Sequence, residues 1–175
     1  MSNLKSLFNK VNDALAKVEV VLIVIFMALL VLIMVAQVAL RYLFHSPLFW
    51  AEEISLQLLI VITFFGVSYL TYKKNLLQVD LLQHYLSVGM KKILAFILLV
   101  LNFLLLTFLA YLYLNWVTDP MVQADISGTT GLPRWYNYGV AAAAICFMAF
   151  HQFINVFNVI FGQPEQSSKD VGGLI

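Results

Sequence analysis

Charge is what this sequence has least of. Only 11% of its 175 residues are Asp, Glu, Lys or Arg, against roughly a quarter in an average soluble domain. With 62% of positions hydrophobic and a mean hydropathy of +0.91, the chain lacks the polar surface that a soluble enzyme of this size needs. Neither sign dominates: ten Lys and Arg stand against nine Asp and Glu, a net charge of +1. There is no basic field to hold nucleic acid. The single Cys146 cannot close an internal disulfide, form a CxxC redox pair or build a cysteine zinc cluster. His45, His84 and His151 are spread so that no two flank a haem iron at one depth and none joins a short-range ligand cluster. HExxH, a glycine-rich phosphate loop and a nucleophile elbow are all missing. No cofactor, no metal and no catalytic residues are expected, and the chain is not expected to be an enzyme.

What the sequence has is long apolar runs. Residues 20–40, 54–72, 93–117 and 135–161 are free of charge, and a helix needs about 20 such residues to cross about 30 Å of hydrocarbon. Membrane-barrel strands would be near ten residues long and alternate. The expected fold is therefore an all-α integral membrane protein, one domain over 1–175, with transmembrane helices at 20–44, 49–72, 91–117 and 135–161. Ahead of them, Leu4, Leu7, Phe8, Val11, Leu15 and Val18 recur at spacings of three and four, opposite Lys5, Lys10, Asn12, Asp13 and Lys17. This predicts an N-terminal amphipathic interfacial helix over 3–18. The first run is too long for a signal-peptide core, and no small-x-small cleavage site follows it. Pro164, Ser167, Ser168, Gly172 and Gly173 predict a mobile tail over 163–175.

Lysines set the expected orientation, because cytoplasmic flanks are enriched in basic residues. Lys5, Lys10 and Lys17 precede the first span, Lys73, Lys74, Lys91 and Lys92 lie between the second and third, and Lys169 follows the fourth. Arg41 and Arg134 alone fall in the other two loops. Both termini are thus expected in the cytoplasm, with the loops after spans one and three outside.

Candidate site residues gather at helix ends. Glu52 and Glu53 follow Trp50 in the first turns of the second helix, where they complement its positive N-terminus and Trp50 suits a headgroup-level belt. Arg41 should lie nearby, across a tight hairpin through His45, Ser46 and Pro47. Successive helical residues point about 100° apart, so only one of Glu52 and Glu53 can face it; the other is left for lipid headgroups or a partner. All of these residues also fit the simpler role of interfacial anchors. No span has an ionisable group near its centre, where a transport or catalytic pathway would place one. On the fourth span His151, Asn155 and Asn158 form a polar stripe at i, i+4 and i+7, suited to protein rather than lipid. Gly139 and Ala143 stand in small-xxx-small spacing with Cys146 close by, a face that closes the unit or docks another subunit.

The first hairpin, Arg41-Tyr42-Leu43-Phe44-His45-Ser46-Pro47-Leu48-Phe49-Trp50-Ala51-Glu52-Glu53, resembles the arginine, aromatic, proline and W-A/S-E-E signature of the small membrane subunit of tripartite ATP-independent periplasmic (TRAP) transporters. Phe65-Gly66-Val67-Ser68 through Val79-Asp80-Leu81-Leu82 is similar to that family's glycine-containing helix and the H-x-x-V-D type segment after it, with Leu76 standing at the histidine position. Gly131-Leu132-Pro133-Arg134-Trp135 resembles the start of the family's fourth helix. The resemblance runs from Lys17 to Phe161. It implies a non-catalytic subunit in the bacterial inner membrane that braces a large subunit of about 12 spans. That large subunit holds the substrate and sodium sites and moves as an elevator, fed by a periplasmic substrate-binding protein. Asp119, Asp125 and Arg134, in the second outer loop, are then expected to help dock the binding protein, and phospholipids to cover the remaining helix faces. The Phe-His-Ser-Pro-Leu-x-Trp run resembles the sialic acid branch, so sialic acid is the first expectation among organic acids. The competing reading is a self-contained four-helix exporter or redox carrier, which would need homo-oligomerisation or a bound haem or quinone.

Overall fold

The computed structural model describes residues 2–46, 48–73 and 88–161. The expected tail 163–175, Leu76 and His84 fall outside them. The described chain folds into helix α1 (Ser2–Leu43), α2 (Phe49–Tyr72), α3 (Val88–Val117), a short α4 (Pro120–Gln123) and α5 (Trp135–Ile160). An isolated antiparallel bridge joins Ile126 to Pro133, and no strand occurs among the described residues. Among the described residues four helices are long and apolar enough to cross a membrane: Ser6–Leu43, Phe49–Tyr72, Lys92–Val117 and Trp135–Ile160. The chain is an all-α membrane protein.

The helices form an open row rather than a closed ring. Helix α1 packs on α2, α2 on α5, and α5 on α3, while α1 touches α5 slightly. No appreciable packing joins α1 to α3 among the described residues. Burial follows this order. In the most apolar stretches of α1 and α3 only 6% of residues are buried, against 33% in α2 and 50% in α5. Val61 and Phe65 of α2 meet Ala144 of α5 at the centre, and Leu22, Ile23 and Phe26 of α1 pack on them from one side. Ala141, Ala142 and Ala144 are all buried, and such small side chains let helix backbones approach in lipid, where packing replaces the hydrophobic effect. On the other side, Gln152 donates from Nε2 to the Leu99 carbonyl at 3.1 Å, Phe153 meets Phe103 and Tyr138 meets Trp116, which together seat α3.

The first residues behave differently from a separate interfacial helix. Helix α1 runs without a break from Ser2 to Leu43, and Asn12, expected on the solvated side, is 7% exposed and turned toward the row. Asn12, Ala16 and Glu19 form the buried stripe, while Leu7, Val11 and Val18 are exposed. Asn12 and Asp13 of the polar side find protein partners in His151 and Tyr72 while Lys10 and Lys17 stay exposed, and satisfied polar groups in an apolar setting outweigh apolar contacts that lipid supplies equally well. At the other end of α1, the Phe44 and Ser46 amides both donate to the Leu40 carbonyl. His45 takes a left-handed φ of 53°, which turns the chain toward α2.

Candidate functional site: two polar clusters

Two clusters of polar residues stand out among the described residues, separated along α2 by the 15 positions from Glu53 to Ser68, about 22 Å of helix. One cluster lies at the loop before α5, the other at the arm of α1.

At the loop side, Glu53 accepts hydrogen bonds from the hydroxyls of Ser127 and Thr129. Arg134 approaches Glu53 with Nε at 3.7 Å from Oε1, and its other guanidinium nitrogen lies 3.6 Å from Asp125 Oδ2. These are ion pairs too long to count as hydrogen bonds. Glu53 Oε1 is buried and has no hydrogen-bond donor. The Tyr138 hydroxyl donates to Asp125 at 3.3 Å. The backbone of 125–134 closes on itself: the Ser127 amide donates to the Leu132 carbonyl and the Arg134 amide to the Asp125 carbonyl, both at 2.9 Å. Gly131, with φ +68°, makes the turn in a conformation that costs other residues more. Asp119 caps α4, accepting from the Met121 amide at 2.8 Å, with Pro120 fitting the first helical turn. An open pocket of about 380 Å³ lies between Trp116, Met121, Asp125 and Tyr138.

This arrangement revises the expected partner of the α2 carboxylates. Neither Glu52 nor Glu53 pairs with Arg41: Glu53 meets Arg134, and Glu52 accepts from Gln37 Nε2 at 3.1 Å. The Arg41 guanidinium lies 6.0 Å from the Tyr42 ring centroid, in the last turn of α1, where a cation complements the helix dipole. The reason is directional. Glu53 points to the side of α2 that the folded loop covers, and Arg134 enters that side at the start of α5. Trp50 is 44% exposed and stays at the surface.

At the arm side, Glu19 and His151 are fully buried and 3.2 Å apart, from Oε2 to Nε2. Asn12 Oδ1 lies 2.6 Å from His151 Nδ1, and the Ser68 hydroxyl donates to Glu19 Oε1 at 2.5 Å. The Tyr72 ring stands 5.5 Å from the imidazole, and its hydroxyl donates to Asp13 at 2.9 Å. Further along α5, Asn155 donates to the Thr71 carbonyl and Asn158 to Asn9, each at 3.1 Å. The stripe of His151, Asn155 and Asn158 therefore faces α1 and α2. Gly139, Ala143 and Cys146 lie on a different face: Ala143 is exposed, and a Cβ built at Gly139 would meet nothing within 4 Å.

Sequence reasoning missed Glu19 because it sits one residue before the charge-free run and reads as a flank. A signal was available. Asn9, Asn12, Ala16 and Glu19 recur at spacings of three and four, a stripe that matches the polar stripe of α5.

Four membrane-spanning helices, two of them bare along their apolar lengths, define the class as an integral membrane protein. The comparisons agree with that class. Residues 30–162 match the family model described as tripartite ATP-independent periplasmic transporters, DctQ component, and the chain belongs to that family. It is also similar to the ectoine TRAP transporter small permease protein TeaB of Halomonas elongata. The two are 24% identical over 137 residues, which cover 78% of this chain and 71% of the relative. Proteins of this family are transporter components rather than enzymes.

Proposed function

We propose that this chain is the non-catalytic small permease subunit of a sodium-coupled TRAP transporter, bracing a large elevator subunit of about 12 spans in the bacterial inner membrane. The observation that carries this reading is the open row. Helices α1 and α3 are almost unburied along their apolar lengths, and the ionisable groups deepest in the protein satisfy one another instead of lining a path. A scaffold needs that combination: rigidity within, and wide apolar faces for a partner and for phospholipids. Both termini lie in the cytoplasm in this arrangement, and the loop 118–134 faces the periplasm. Of the residues there, Asp125 and Arg134 hold the loop in shape, while Asp119 and the exposed Met121, Ile126 and Leu132 present the surface on which a periplasmic substrate-binding protein docks. Arg41, Trp50 and Glu52 serve as contacts to the large subunit or to headgroups, and the open Gly139 and Ala143 face is available for helix docking.

The cargo belongs to the partner subunits. Sialic acid is the first organic acid to test, from the first-hairpin motif, and ectoine the second, from the name of the relative. The test is purification in mild detergent after co-expression with a large TRAP permease subunit from the same organism, together with uptake measured in a strain lacking this chain. A one-to-one complex and lost uptake are expected; a chain that purifies alone while uptake survives its deletion overturns the reading.

A further inference from the structure

A buried acid and a buried base meet in the arm-side cluster, and their geometry counts protons. Asn12 Oδ1 is an acceptor, so His151 Nδ1, 2.6 Å away, carries a hydrogen and donates it. Glu19 Oε1 accepts from the Ser68 hydroxyl. The remaining contact, His151 Nε2 to Glu19 Oε2 at 3.2 Å, sets two acceptors against each other unless one proton lies between them. Imidazolium with carboxylate, or imidazole with carboxylic acid, gives the same total: no net charge and a partner for every one of these polar atoms. Without that proton a carboxylate stands fully buried with no countercharge, since no other cation among the described residues lies within ion-pair distance of Glu19. A second proton would instead strand an imidazolium. Either state carries an uncompensated charge where no water reaches it.

We propose that Glu19 and His151 are a one-proton binding site, and that its occupancy latches the arm of α1 onto α2 and α5. The surroundings supply no substitute charge. On α1, Asp13 is engaged by the Tyr72 hydroxyl; on α2, Ser68 serves Glu19 and Tyr69 stacks on Tyr72, with the Lys73 ammonium held over the Tyr69 ring at 5.7 Å; on α5, Phe150 flanks the imidazole and Asn155 is committed to Thr71. The latch closes when one proton is bound and loosens on either side of that state. This reading is independent of the transporter assignment, because it concerns how one helix is held within the chain.

The experiment is hydrogen exchange by mass spectrometry on the full chain in phospholipid nanodiscs, with rates corrected for the intrinsic pH dependence of amide exchange. Protection of residues 6–19 in the wild type is expected to fall at least about tenfold from neutral to alkaline pH, while protection of the 125–134 loop stays level. Glu19→Gln keeps the contacts without the charge, since its amide donates to Nε2 and its oxygen accepts from Ser68. Its arm should stay protected with no alkaline fall. Asp13→Asn should leave the alkaline fall in place, which separates it from the Asp13 and Tyr72 pair. Wild-type protection that is flat with pH, or an alkaline fall that persists in Glu19→Gln, overturns the proposal. Both variants preserve hydrogen bonding, so the test does not depend on a protein with a broken core.

Discussion

The two polar clusters use the same ingredients, a carboxylate on one helix and a basic residue on α5 or at its N-cap, yet they are built to opposite specifications. At the loop, Arg134 and Asp125 are 42% and 39% exposed and their contacts run to 3.6 Å and beyond. At the arm, Glu19 and His151 are fully buried, with the Ser68 hydroxyl 2.5 Å from Glu19 and Asn12 2.6 Å from His151. A partly wet ion pair trades protein partners for water at little net cost, and salt screens it. A dry one has no water to fall back on, so losing one member leaves the other stranded. The first kind of cluster can yield and re-form when something lands on the loop. The second holds its helices together or fails as a unit.

Substitutions turn this contrast into measurements. The largest effect is expected from Glu19→Ala, about 3–5 kcal/mol of lost stability, read as a drop in thermal unfolding temperature in detergent. Glu19→Gln should recover most of the loss, and an equal drop in both variants would mean that packing rather than charge governs the arm. Next, Gly131→Ala forces a side chain into the left-handed turn at φ +68° and should cost roughly 1 kcal/mol, visible as faster proteolysis of the loop. Asn155→Leu removes the bond to the Thr71 carbonyl and should cost about 0.6 kcal/mol, the usual worth of one interhelical hydrogen bond in a membrane. Arg134→Gln should leave the unfolding temperature unchanged but speed loop cleavage, and high salt should bring the wild type toward the variant. Smallest of all is Gln37→Leu, whose exposed bond to Glu52 should not be missed in unfolding; a clear destabilisation there would erase the distinction between exposed and buried polar contacts.

Much of the fold was legible because a bilayer imposes a simple demand. Each charge-free run of about 20 residues has to be satisfied as a helix, and the four spans emerged from that alone. The lateral order of the helices was not legible. Small residues and polar stripes mark a face as suited to protein, but the stripe of His151 and Asn155 does not say whether it will meet α1, α2 or another chain. The choice depends on matching stripes far apart in sequence, here Asn9 to Glu19 against His151 to Asn158. The Arg41 pairing failed for a related reason. Nearness across a hairpin favours it, yet Arg134, 81 positions from Glu53 in the sequence, approaches from the side that the carboxylate faces. Chain distance gives no access to that direction.

Helix α1 has 42 residues and is therefore about 63 Å long, about twice the thickness of a bilayer's hydrocarbon. Even at a tilt of about 40°, near the limit seen for membrane helices, it still reaches about 48 Å along the membrane normal. Some of it must stand in the headgroups or beyond. The arm pinned by Glu19 carries exposed Leu7, Val11 and Val18, so a thicker membrane would submerge these side chains and a thinner one would leave them wet. The length of the helix thus leaves the number of these side chains in contact with lipid to the thickness of the bilayer.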